Sequence, residues 1–105
     1  MTGGWRRVAA ADDIPEGTMR AIRVEGREIV VGRSAAGWFA LDNTCTHAYA
    51  RLCEGRLRGH RLVCPLHGAS FDVRDGRVLG LPATVPLAAH RLRIVDGQVE
   101  VALGG

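Results

Sequence analysis

Arg61-Leu62-Val63-Cys64-Pro65-Leu66-His67-Gly68-Ala69-Ser70-Phe71-Asp72-Val73 reads as two short strands joined by a tight loop. Arg61-Leu62-Val63 runs straight into Cys64, and Ser70-Phe71-Asp72-Val73 leads away from His67. β-Branched and aromatic residues suit the strands, and Gly68 suits a turn directly after His67. The loop carries one thiol and one imidazole. A second such loop lies upstream at Cys45-Thr46-His47, after the predicted strand Trp38-Phe39-Ala40-Leu41 and the link Asp42-Asn43-Thr44. With 16 residues between His47 and Cys64, the pattern is C-x-H-x16-C-x-x-H.

Further out, short apolar segments continue to alternate with glycine turns. Trp5 to Ala9 predicts a first strand, broken by Asp12-Asp13-Ile14-Pro15-Glu16-Gly17 through a single helical turn. Met19 to Val24 and Glu28 to Val31 flank Glu25-Gly26 and predict a hairpin. Asp75-Gly76 and Asp96-Gly97 are further turn signals, and Arg91 to Val95 with Gln98 to Leu103 predicts a closing hairpin. No stretch holds a 3.6-residue apolar period long enough for a helix. The expectation is an all-β domain of short antiparallel strands, a sandwich or small barrel, with both ligand loops at one end. A chain of 105 residues predicts one domain, 1–105, with a modest core.

Composition narrows the function classes. The net charge is +3 and every basic residue is arginine. The arginines are spread from Arg6 to Arg93 without a dense run, which argues against nucleic acid as a partner. No apolar run approaches the roughly 20 residues of a membrane helix, and the start has no apolar segment of a signal peptide. A cytoplasmic protein without a membrane partner is expected. Three cysteines disfavour a disulfide framework. With Cys45 and Cys64 as ligands, Cys53 is left as a small, half-buried thiol.

Two soft thiolates and two imidazoles can hold a [2Fe–2S] cluster, one iron taking both sulfurs and the other both nitrogens. Cys45, His47, Cys64 and His67 are therefore the candidate cofactor-binding and metal-ligating residues. The competing reading is a structural Cys2His2 zinc site. Zinc patterns usually begin from like pairs at C-x2–4-C and H-x3–5-H spacing, whereas each pair here mixes the two types. His60, in a predicted turn, and His90, at a strand start, are expected at the surface.

The resemblance extends beyond the ligands. Cys45-Thr46-His47-Ala48-Tyr49-Ala50-Arg51-Leu52-Cys53-Glu54-Gly55 and Cys64-Pro65-Leu66-His67-Gly68-Ala69-Ser70-Phe71-Asp72 resemble the two cluster loops of Rieske-type [2Fe–2S] ferredoxins serving bacterial aromatic-ring-hydroxylating dioxygenases. Gly76, Leu81-Pro82-Ala83-Thr84 and the closing hairpin resemble the same family. The resemblance implies the Rieske fold: an antiparallel β-sandwich base with a small cluster-binding subdomain, about residues 43–83. It implies that Pro82 lies in a loop covering the cluster from a third side. Tyr49, Leu66, Phe71 and Pro82 are the expected apolar shelter.

Departures within that family point to one branch. Rieske subunits of respiratory and photosynthetic complexes carry an extra cysteine in each loop, where this chain has Ala50 and Leu66. They also place hydroxyl donors where this chain has Ala69 and Phe71. Losing donors near the sulfurs destabilises the reduced cluster, so a potential near the low end, roughly −150 mV, is expected. The resemblance implies a one-electron carrier, not a catalyst. It would link an NAD(P)H-dependent flavoprotein ferredoxin reductase to a terminal oxygenase, and be monomeric when free. The small Rieske subunit of a nitrite reductase and the ferredoxin component of a diiron monooxygenase are the alternatives.

Overall fold

The computed structural model describes residues 4–46, 50–66 and 68–104. Among them are ten strands and two short 3-10 turns. The strands form three antiparallel sheets. One joins the two ends of the chain: β1 (Arg6–Ala10) pairs with β10 (Gln98–Ala102), which pairs with β9 (Arg91–Val95). The second is a meander of β2 (Met19–Val24), β3 (Arg27–Ser34) and β4 (Gly37–Asp42). The third is a meander of β5 (Arg56–Arg58), β6 (Arg61–Val63), β7 (Ser70–Asp72) and β8 (Val78–Gly80).

Turn chemistry sets the registers. Glu25 and Gly26 have φ of +50° and +83°, and Asp96 and Gly97 +51° and +74°. Two successive left-handed residues match the right-handed twist of flanking strands, so each pair closes a two-residue hairpin. The first strand begins one residue later than the sequence suggests, and β3 runs on to Ser34. Ala11–Asp13 supplies the single helical turn.

The β2–β3–β4 meander is the middle layer and buries both faces. Ile29, Val31 and Ala40 pack with Val24, Ile14, Val99 and Val101 towards the terminal sheet. Val30, Phe39 and Leu41 point the other way, into a second core with Leu52, Leu62, Phe71, Val73, Ala83 and Leu87. Burial on both sides explains why Ile29-Val30-Val31 is a continuous apolar run and not an alternation. Each fully buried side chain of this size contributes about 1.5–3 kcal/mol. Gly32 is required by the packing: a Cβ there would meet the Phe39 ring and, at 2.8 Å, Met19 Cβ. The second core also holds Cys45 and Cys64, so the candidate ligands are continuous with the apolar interior.

Candidate metal centre

The two ligand loops share one construction. The Cys45 N–H donates to the Ala50 carbonyl at 2.9 Å, and the Cys64 N–H donates to the Ala69 carbonyl at 2.7 Å. In both, the cysteine closes the loop onto an alanine five positions on. Flanking pairs tighten each neck. Thr44 bridges Arg51, and the Leu52 N–H donates to the Asn43 carbonyl at 2.7 Å. Val63 pairs with Ser70 across β6 and β7. Gly68, at φ +73°, makes the left-handed turn that returns the second loop to β7.

Asn43 organises the first loop, a role the sequence reading missed. Its buried side chain donates to Glu28 Oε1 at 2.9 Å and accepts the Cys53 N–H at 2.8 Å. Glu28 is also gripped by Arg51, whose guanidinium holds the Glu28 carboxyl below its usual range, helped by Asn43. An asparagine just after a strand was the available signal. Cys53 is half-buried as expected, with its sulfur 3.4 Å from Asn43 Nδ2.

These necks bring the Cys45 and Cys64 thiols within hydrogen-bonding reach of each other, with residue exposures of 2% and 3%. Burial pushes the Cys64 thiol up, the Leu66 backbone N–H opposes this, and Cys45 pushes it further up. Two adjacent buried thiolates repel each other in a low-dielectric site, so a cation bound between them favours the ionised pair. Chemically, the site is a pair of soft donors prepared for one metal ion.

A third segment closes over the loops. The Thr46 hydroxyl donates to the Val85 carbonyl at 2.6 Å, and the Leu87 N–H donates to the Gly76 carbonyl at 2.8 Å. Gly76 sits at φ +82°, and a Cβ there would strike the Leu87 carbonyl oxygen. The segment includes the cis Leu81–Pro82 peptide. Of the expected apolar shelter, Phe71 is fully buried and Pro82 half-buried. Leu66 is 49% exposed, because its turn projects outward from the β6–β7 connection, so it forms part of the surface instead. His47, Tyr49 and His67 lie outside the described residues.

The remaining histidines divide. His60 is exposed in the turn between β5 and β6, as expected. His90 corrects the sequence reading: it is buried. Its Nδ1 accepts the Gly104 N–H at 2.9 Å, so the proton resides on Nε2, which donates to Asp42 Oδ1 at 2.8 Å. Arg27 Nη2 also donates to both Asp42 oxygens, at 2.9 and 3.1 Å, while its Nη1 donates to the Gly104 carbonyl at 3.0 Å. This group ties β3, β4 and the end of β10 together.

Residues 4–91 match the Rieske [2Fe–2S] domain. The chain belongs to the Rieske [2Fe–2S] domain family. Its relatives include the ferredoxin component of the naphthalene 1,2-dioxygenase/salicylate 5-hydroxylase systems of Ralstonia sp., 38% identical over 98% of this chain and 99% of that one. Among solved structures, the ferredoxin of carbazole 1,9a-dioxygenase from Nocardioides aromaticivorans IC177 superposes with a TM-score of 0.91. It is 33% identical, over 95% of this chain and 98% of that one. A chain in a solved complex of reduced oxygenase and oxidized ferredoxin in carbazole 1,9a-dioxygenase gives a TM-score of 0.87. It is 39% identical, over 93% of this chain and 92% of that one.

This Rieske domain is all-β, as the sequence suggested, and it is a ferredoxin-type electron carrier, not a catalyst. Its cofactor is the Rieske [2Fe–2S] cluster. The donor set fits that group: two soft thiols stand side by side at the necks of two loops, as one iron of the cluster requires. Among the described residues, no helix is long and apolar enough to cross a membrane.

Proposed function

We propose that this chain is the ferredoxin component of a multicomponent oxygenase system. It takes single electrons from an NAD(P)H-dependent flavoprotein reductase and delivers them to a terminal oxygenase. The observation that carries this reading is the pairing of the Cys45 and Cys64 thiols by two loops of identical closure, each loop carrying one histidine. Cys45 and Cys64 hold the inner iron, and His47 and His67 hold the outer one. When bound, the cluster supplies a one-electron couple. The chain occupies one domain, 1–105, with the cluster-binding part at about 43–83, and works as a cytoplasmic monomer. Relatives named as ferredoxin components of dioxygenase systems support the choice over a nitrite reductase subunit or a diiron monooxygenase component.

The protein's own residues do three things. Phe71, Leu62 and Ala83 exclude water behind the two thiols. The Leu66 N–H steadies the Cys64 sulfur. Leu66, Leu81 and Val85, 49%, 79% and 55% exposed, supply apolar contact area on the loops and the segment that closes over them. Such side chains suit a docking face that a partner desolvates on contact.

Electron paramagnetic resonance of the reduced protein tests the reading, with a Rieske-type signal expected. Replacing His67 by Cys adds an anionic ligand. The potential is expected to fall from roughly −150 mV towards the −400 mV of all-cysteine plant-type clusters. A colourless, zinc-loaded protein refutes the cluster, and an unchanged potential removes His67 from the ligand set.

A further inference from the structure

The excess positive charge is confined to one part of the chain. Residues 43–83 hold six arginines against three carboxylates, and the remainder holds eight arginines against eight carboxylates. The whole net charge of +3 therefore belongs to the cluster-binding part.

The pleat concentrates that charge on one face. Directly opposed residues in an antiparallel pair share a face, and alternate residues along a strand share it too. In the third sheet, Leu57 pairs with Leu62, Leu62 with Phe71, and Phe71 with Val78, giving the apolar inner face that packs into the core. Arg56 pairs with Val63, Arg58 with Arg61, and Arg61 with Asp72, giving the outer face. Asp72 is buried beneath Arg74 and Arg77, at 2.7 and 3.4 Å, and Arg61 covers Ser70 at 2.6 Å. Five guanidinium groups thus gather around one buried carboxylate, Asp72, with the exposed Asp75 in the turn between Arg74 and Arg77. Among the described residues, Arg56, Arg58 and Arg61 have no carboxylate within ion-pair distance.

This face adjoins the metal centre. Arg56 lines a cleft of about 360 Å³ together with Cys64, Pro65, Gly68 and Glu54, whose carboxylate is paired with Arg51. We propose that the arginine face of β5–β6–β7 is a docking surface for a redox-partner protein whose contact face is rich in carboxylates, steering it onto the exposed loops beside Cys64. The proposal rests on the electron-carrier reading and adds the chemistry of the partner. Complementary charge of this kind raises association rates by roughly 10- to 1000-fold and loses its effect as salt shortens the screening length.

The test uses the cluster-loaded, reduced protein and two protein oxidants, acidic plastocyanin and basic cytochrome c. One electron leaves the cluster and converts Cu(II) to Cu(I) in the first or Fe(III) to Fe(II) in the second. Rates are followed by stopped flow across a salt series. Plastocyanin reduction is expected to slow about tenfold or more from low to physiological salt, while cytochrome c reduction does not slow. Arg56→Glu with Arg58→Glu should abolish most of the plastocyanin salt dependence. Arg7→Glu with Arg91→Glu, an equal charge change in the terminal sheet, should preserve it. The visible spectrum of each variant reports that the cluster is retained. A plastocyanin rate indifferent to salt, or cut equally by both double variants, overturns the docking surface but leaves the carrier reading intact. Failure of the wild type to reduce either oxidant at any salt refutes the carrier reading itself.

Discussion

The Thr46 hydroxyl donates to the Val85 carbonyl at 2.6 Å across 39 residues of sequence, fastening the first ligand loop to the segment that closes over it. Thr46→Val keeps the shape and removes the donor. A single exposed hydrogen bond of this kind is worth about 1 kcal/mol, which corresponds to a fall in melting temperature of about 4–8 °C for a domain of this size. Faster bleaching of the visible cluster bands should accompany it. A melting curve by circular dichroism and a bleaching time course check both, and unchanged values would show that the segment is held by other contacts.

Ala69 is fully buried, and its carbonyl already accepts the Cys64 N–H. Ala69→Ser introduces a hydroxyl donor beside the second loop. A donor that binds the reduced site about 1 kcal/mol more strongly than the oxidised one raises a one-electron potential by about 40 mV. Protein-film voltammetry of the two proteins reads the difference. A fall in potential would contradict the assignment of the low-potential branch to missing donors.

Asp72 links acid stability to the arginine face. The Arg74 guanidinium holds its carboxyl well below the usual carboxylate range, although burial opposes this. Because the folded value lies below the unfolded one, the stabilisation is complete above the unfolded carboxylate range, about pH 4. It is lost as the pH falls through the folded value. Asp72→Asn should therefore be less stable than wild type at neutral pH, with the gap narrowing in acid. Urea midpoints compared across the pH series isolate this group from the histidines, and a gap independent of pH would refute the linkage.

His90→Ala should separate structure from chemistry. It leaves the Gly104 N–H without its partner, takes one of two donors from Asp42 Oδ1 and opens space in the interior, at a cost of about 2–4 kcal/mol. The urea midpoint should drop while the visible and paramagnetic spectra of the cluster stay unchanged. Altered spectra would place His90 in the metal centre.

The hairpins were legible because their chemistry is local: Glu25-Gly26, Asp96-Gly97 and Gly68 each sit where a left-handed residue is needed. The cysteine positions were legible for the same reason. Arg56–Arg58 and Val78–Gly80 were not, since three residues are too few to establish an alternation. His90 was misplaced because its partners, Asp42 and Gly104, are distant or terminal, and a lone histidine carries no sign of them. The arginines looked dispersed for a geometric reason. The pleat gathers every second residue of neighbouring strands, so a patch in space is a scatter along the chain.

The two loop necks differ from the rest of the molecule in how far the chain must travel to make them. Each closes over five residues, whereas β1 must find β10 from opposite ends of the sequence. Loop-closure entropy rises with the span enclosed, and folding slows as long-range pairing comes to dominate. The thiol-bearing turns are thus the fast, local element of the folding reaction, and the terminal sheet is the slow one. A nascent chain can shape each ligand loop before β10 has been synthesised.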